Sequence, residues 1–264
     1  MDIAVHSPAY LSSVGFANLG GEVDFSDCSG YKVCDRDLQF LDISHAAMQA
    51  MIDQAVPLGM TAREFDHFCE TLERAAQLDG LEDLDVRLQG SAAHFFAGRH
   101  KQMAYARDEI VRHFLIERKC YPDKAELQQI IMLLASVWAD PGPRPQQRPF
   151  DAYFRLGIST ACSDYDVQIS SDSLAARARD WLEPLDLSEL FDIRHPTYKF
   201  IEKCLIHDVA PNLEIWRSLQ TTLLDRSVTI AAFPGSGPEP AEDSTQMSSH
   251  HQPSDWVLMK GTGA

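Results

Sequence analysis

Two aspartates one residue apart, Asp164 and Asp166, lie in the stretch Ser163-Asp164-Tyr165-Asp166-Val167-Gln168-Ile169. The β-formers Tyr165, Val167 and Ile169 alternate with polar residues, which predicts a short strand. Side chains two apart in a strand project to the same face, so the carboxylates stand side by side at one end of the element. Held that close they repel each other unless something positive sits between them. Hard oxygen ligands at this spacing suit Mg²⁺ or Mn²⁺. Taken alone, Asp-x-Asp fits a solvated strand end as well as a metal site.

A second stretch adds the missing context. Asp85-Val86-Arg87-Leu88-Gln89-Gly90-Ser91 alternates apolar and polar residues and stops at Gly-Ser, and Ala92 to Gly98 follow as a short helical turn. Glycine lets the backbone come close to a phosphate where a Cβ would clash. The N–H groups and the serine hydroxyl of a turn that opens a helix favour an anion.

A strand ending in Gly90-Ser91 and a short helix, then a later strand carrying Ser163-Asp164-Tyr165-Asp166-Val167, resembles the nucleotidyltransferase superfamily that includes DNA polymerase beta. The resemblance spans roughly residues 61–100 and 150–235. It implies that Asp164 and Asp166 hold Mg²⁺ or Mn²⁺ and act in catalysis, and that Gly90 and Ser91 cradle a triphosphate. Carboxylates gripping metal ions stabilise the attacking and leaving oxygens of an in-line displacement. The implied activity moves a nucleotidyl group from an NTP to a hydroxyl on a small molecule, an RNA end or a protein. The superfamily normally adds a third carboxylate on a later strand. The strand expected at Val228–Phe233 has none, and Asp225 just before it is the candidate. The alternative reading is a catalytically inactive relative acting as a partner-binding module, and a metal-dependent hydrolase is a third.

Basic groups are needed against a triphosphate. Lys199 and Lys203 are four apart and share a face of the helix expected around Tyr198–Ile206, where Tyr198 and Phe200 could stack on a base. Arg99-His100-Lys101 is a second cationic cluster. Other residue types carry less: Cys162 lacks a thiol-activating histidine motif and reads as a structural cysteine. His94, His100 and His113 have no zinc spacing, and His250-His251 reads as incidental. Pro-Gly-Ser-Gly-Pro at 234–238 lacks the lysine and helix of a phosphate loop.

The elements that must position these groups follow from patterning. The fold class expected is α/β (α+β), a small mixed sheet flanked by helices, with a helical insertion between the Gly-Ser strand and the Asp-x-Asp strand. Residues 1–36 read as an irregular N-terminal arm and 37–233 as the main domain. Its helical insertion and Pro-rich linker occupy about 102–149, and the linker is placed outside the sheet. Residues 234–264 read as a flexible tail with a possible docking strand at 255–259. Helical periodicity begins near Leu38 and runs through Ile52. Thr61-x-x-Glu64 is a capping box opening a helix that carries Phe65, Phe68 and Leu72 on one stripe. Ser173 reads as the cap of a helix over 174–182. Pro211–Leu224 reads as a helix with Leu213, Trp216, Leu219 and Leu223 on one stripe.

The 264 residues carry 39 acidic against 23 basic groups, a formal net charge of −16. Such a field disfavours bulk binding to nucleic acid or anionic membrane surfaces, while a small anion arriving with its own cation remains compatible. Cysteines stand at 28, 34, 69, 120, 162 and 204, with no Cys-x-x-Cys pair. Reduced thiols in a cytoplasmic protein are expected. The N-terminal Met1-Asp2-Ile3-Ala4-Val5-His6 has neither a basic region nor an apolar run. No window approaches the ~18 apolar residues a bilayer-spanning helix needs.

Overall fold

Thr61 and Glu64 start the longest helix as the capping box requires. Glu64 N donates to Thr61 Oγ1 at 3.3 Å and Thr61 N to Glu64 Oε2 at 2.7 Å. The helix that follows buries Phe68, Leu72, Ala75 and Ala76. Phe68 meets Trp216 edge-on, with ring centroids 4.8 Å apart, and lies 6.3 Å from the ring of Tyr165. Fully burying one such side chain contributes about 1.5–3 kcal/mol.

The computed structural model describes residues 22–139, 142–185, 193–195, 200–235 and 255–261. In chain order these form β1 (Glu22–Ser26), β2 (Lys32–Cys34), α1 (Asp35–Leu41), α2 (His45–Ile52), α3 (Ala62–Leu78), β3 (Asp85–Gln89) and α4 (Ser91–His94). There follow α5 (Arg107–Arg118), α6 (Lys124–Val137), α7 (Ala152–Arg155), β4 (Tyr165–Ser170) and α8 (Asp172–Leu182). The last are α9 (Lys203–Val209), α10 (Pro211–Leu223), β5 (Val228–Phe233) and β6 (Trp256–Lys260). The fold is α+β. A four-stranded mixed sheet has the order β5-β4-β3-β6, and β1 and β2 form a separate hairpin. β3 runs antiparallel to both β4 and β6, and β4 runs parallel to β5.

Strand alternation gives the sheet two different faces. Val86, Leu88, Tyr165, Val167, Ile169, Val228 and Ile230 are buried core. α10 is fastened to the end of α3 by Asp79, whose carboxylate accepts Asn212 N at 3.1 Å and Leu213 N at 2.9 Å. That carboxylate satisfies amides which the start of a helix leaves without an internal partner. Asp164, Asp166 and Gln89 belong to the alternate set of positions and line a cleft.

Several sequence expectations change. The arm contains the β1–β2 hairpin, and its residues 1–21 lie outside the described residues, as do 236–254 of the tail. The first helical region divides at Asp42, which takes a left-handed conformation (φ 60°). Ser171, not Ser173, caps α8: its Oγ accepts Leu174 N at 3.0 Å, and Ser173 lies inside the helix, where its amide and hydroxyl donate to the Asp83 carboxylate. The inward face of α10 is Leu213, Trp216 and Gln220; Leu219 and Leu223 are exposed. The helix expected around Tyr198–Ile206 begins only at Lys203, because Ile201 N donates to Ala232 O at 2.7 Å and holds the chain against β5. The docking strand expected at 255–259 is β6, at Trp256–Lys260. No helix among the described residues is long and apolar enough to cross a membrane.

Candidate functional site

Asp166 sits in the middle of three strands, with Gln89 of β3 and Thr229 of β5 as its register partners. Thr229 Oγ1 donates to Asp166 Oδ1 at 2.8 Å. Directly above Gln89, Gly90 adopts φ 79° and ψ −171°, and a Cβ on it would stand 2.7 Å from Asp166 Oδ2. The glycine turn therefore lies flush against the carboxylate, and Ser91 opens α4 beside it. Asp164, the residue before β4, is close enough to hydrogen-bond the Asp166 side chain. Burial and the Asp164 charge push Asp166 from 3.8 up to about 6; Lys101 and the Thr229 hydroxyl act against the rise.

Gly90, Ser91, Asp164 and Asp166 line one cleft of about 960 Å³. The same lining carries a cationic cluster. The loop after α4 supplies Arg99, His100 and Lys101, and the Pro-rich segment supplies Arg148. These two pieces are tied by backbone bonds: Ala97 N donates to Arg148 O at 2.8 Å and Arg148 N to Lys101 O at 3.0 Å. Burial, together with the charges of Lys101 and Arg148, holds His100 below its ordinary value. The segment expected as a plain linker thus builds part of the cleft, although it stays outside the four-stranded sheet. Glu117 of α5 lines the same cleft and accepts from Arg148 Nη1 at 3.2 Å.

Not every expected residue joins this cleft. Lys203 is exposed and outside the lining; it stands at the first position of α9, and its charge acts on Glu214. Lys199 and Tyr198 lie outside the described residues. Phe200 is part of the lining, stacked on His195 with centroids 4.8 Å apart. Asp225 does not line the cleft, and its charge bears instead on Cys162, whose thiol burial pushes up. The β5 position in register with Asp166 carries Thr229, so no third carboxylate stands there.

Residues the sequence did not single out also line the site. Asp255, on the approach to β6, accepts Gln89 Nε2 at 2.7 Å and lies 3.6 Å from His94 Nε2. Arg148 was hidden among prolines, and Thr229 and Asp255 become visible only through strand register. Cations of the Mg²⁺ type commonly take one or two carboxylates and complete their shell with water and substrate phosphates. Asp164 and Asp166 fit that use. Among the described residues no group of three or more His, Cys, Asp or Glu converges as an all-protein cage. Comparison with protein-family models, with curated proteins and with solved structures finds no match to this chain.

Proposed function

We propose that this protein is a metal-dependent nucleotidyltransferase, passing a nucleotidyl group from an NTP to a hydroxyl acceptor with Mg²⁺ or Mn²⁺. The observation that carries this reading is the contact of the Gly90 turn with Asp166, within one cleft that Arg99, Lys101 and Arg148 also line. A phosphate chain laid on Gly90 and Ser91 would meet the aspartate at its side, with the cations of the lining in the same cleft. Asp164 and Asp166 would hold the cation, which neutralises charge developing on the phosphoryl oxygens. Thr229 and burial fix the direction of the Asp166 carboxylate before substrate arrives. Lys101 and Arg148 draw the anion in against a chain of net charge −16. Half-buried Phe200 offers an apolar surface to a base.

Calorimetric titration of ATP, GTP, CTP and UTP with Mg²⁺ or Mn²⁺ tests the reading. Micromolar binding of at least one nucleotide, lost in Asp164→Asn and Asp166→Asn while the circular dichroism spectrum is kept, is the expected result. Silence with all four overturns it. Thr229 in the register position beside Asp166 favours a second reading, a nucleotide-responsive partner-binding protein without turnover. Nucleotide binding with no pyrophosphate release over a panel of hydroxyl acceptors would select that reading.

A further inference from the structure

Asp151, next to the Pro-rich segment, and Arg226, just before β5, form a two-point ion pair. Nη1 meets Oδ1 at 2.8 Å and Nη2 meets Oδ2 at 2.9 Å. Their side chains are only 7 % and 11 % exposed. Both also grip the residue preceding Asp164. Arg226 Nη1 donates to Ser163 O at 2.6 Å, Ser163 N donates to Asp151 Oδ1 at 2.7 Å, and Asp151 N donates to Ser163 Oγ at 2.8 Å. The guanidinium lies over two aromatic rings, 4.7 Å from the centroid of Phe150 and 5.7 Å from that of Tyr165.

Asp151 (φ 57°) and Asp225 (φ 47°), the latter adjacent to Arg226, are both left-handed without being glycine. Such backbone costs on the order of 1 kcal/mol per residue and persists where its surroundings overdetermine it. A buried ion pair is weak evidence of net stabilisation once desolvation is counted. What it does here is geometric. Asp164 lies outside β4, so the strand ladder ends at Tyr165, whose N donates to Ser227 O at 2.9 Å. Upstream of that bond, the direction of the Asp164 carboxylate depends on how Ser163 is held.

We infer that Arg226 and Asp151 are positioning residues that clamp the Ser163 main chain and thereby aim Asp164 at the cation beside Asp166. The inference rests on the nucleotidyltransferase reading of the cleft. It assigns no chemical step to the clamp, which acts only through Asp164.

The test titrates the full chain with Mn²⁺ complexes of ATP, GTP, CTP and UTP. Compared are wild type, Arg226→Met, Arg226→Lys, Asp151→Asn, Ser163→Ala and a destabilised comparator, Leu213→Ala in α10, each below its own melting temperature. Losing a group that orients a ligand residue costs about 10–100-fold in metal affinity. Arg226→Met and Asp151→Asn are therefore expected to bind at least about tenfold more weakly than wild type. Arg226→Lys, which keeps the charge but not the fork, falls between. Leu213→Ala, equally destabilised, keeps wild-type affinity. Ser163→Ala leaves the ion pair in place and serves if the others do not fold, with a loss smaller than that of Arg226→Met but beyond the comparator's. If Arg226→Met or Ser163→Ala binds like the comparator, the clamp is purely structural and the inference falls alone. If wild type binds none of the four complexes, the nucleotidyltransferase reading falls and takes the clamp with it.

Discussion

Gly90→Ala is the sharpest perturbation of this site, because two independent effects converge on one atom. At φ 79° and ψ −171° the backbone occupies a region nearly reserved for glycine, so the substitution stores roughly 1–3 kcal/mol of strain. The added Cβ would stand 2.7 Å from Asp166 Oδ2, inside van der Waals contact. Asp166 cannot swing aside freely: its Oδ1 accepts the Thr229 hydroxyl at 2.8 Å. Breaking that bond to a charged acceptor costs about 1.5–3 kcal/mol. The combined expectation is a loss of about 3–5 kcal/mol, a large part of the ~5–15 kcal/mol that holds a domain together. Urea unfolding with linear extrapolation measures it. A double-mutant cycle with Asp166→Ala then separates the two contributions, since removing the carboxylate relieves the clash but leaves the backbone strain. A coupling of at least about 1 kcal/mol is expected. A single variant within ~0.5 kcal/mol of wild type, or two additive substitutions, would refute the close packing of turn on carboxylate.

Asp166 also makes stability depend on pH. Its folded value of about 6 lies above the ordinary 3.8, so the stabilisation is complete below pH ~4 and is lost as pH rises through about 6. Metal-free wild type should lose on the order of 3 kcal/mol from this group between pH ~4 and ~7. Asp166→Asn should flatten that segment, and parallel curves in EDTA would count against it. Lys101→Ala should weaken nucleotide binding about tenfold at low ionic strength and less at high salt, seen by titration at two salt concentrations. Asp37 tests the fold away from the cleft, since its carboxylate accepts Tyr31 Oη and Trp138 Nε1, each at 2.8 Å. Asp37→Ala leaves both donors buried, so melting should fall by roughly 10 °C for a cost of about 3–5 kcal/mol. Nucleotide affinity below the melting temperature should be unchanged.

Local chemistry was legible in the chain itself. Thr61 and Glu64 announce their helix because a capping box closes within four residues, and Tyr165, Val167 and Ile169 announce a strand through period-two alternation. Gly90-Ser91 and Asp164/Asp166 stand out for a similar reason, since each pair spans no more than three residues at the end of one strand. The helix expected to carry Lys203 starts later than its pattern suggests because local pattern lost to a tertiary bond: Ile201 N engages Ala232 O, and the helix starts two residues after it. Ser173 reads as a cap, but the helix starts at Asp172 with Ser171 as its cap, and Asp83, remote in sequence, takes both Ser173 donors.

Sequence alone therefore determined which groups are chemically apt and which elements carry them, because periodicity and capping are nearest-neighbour physics. Only tertiary structure decided that the two stretches share a cleft, that Thr229 occupies the register position beside Asp166, and that Arg148 and Asp255 line the same space. Those facts depend on strand register and on closure between residues far apart along the chain, and neither leaves a trace in local pattern.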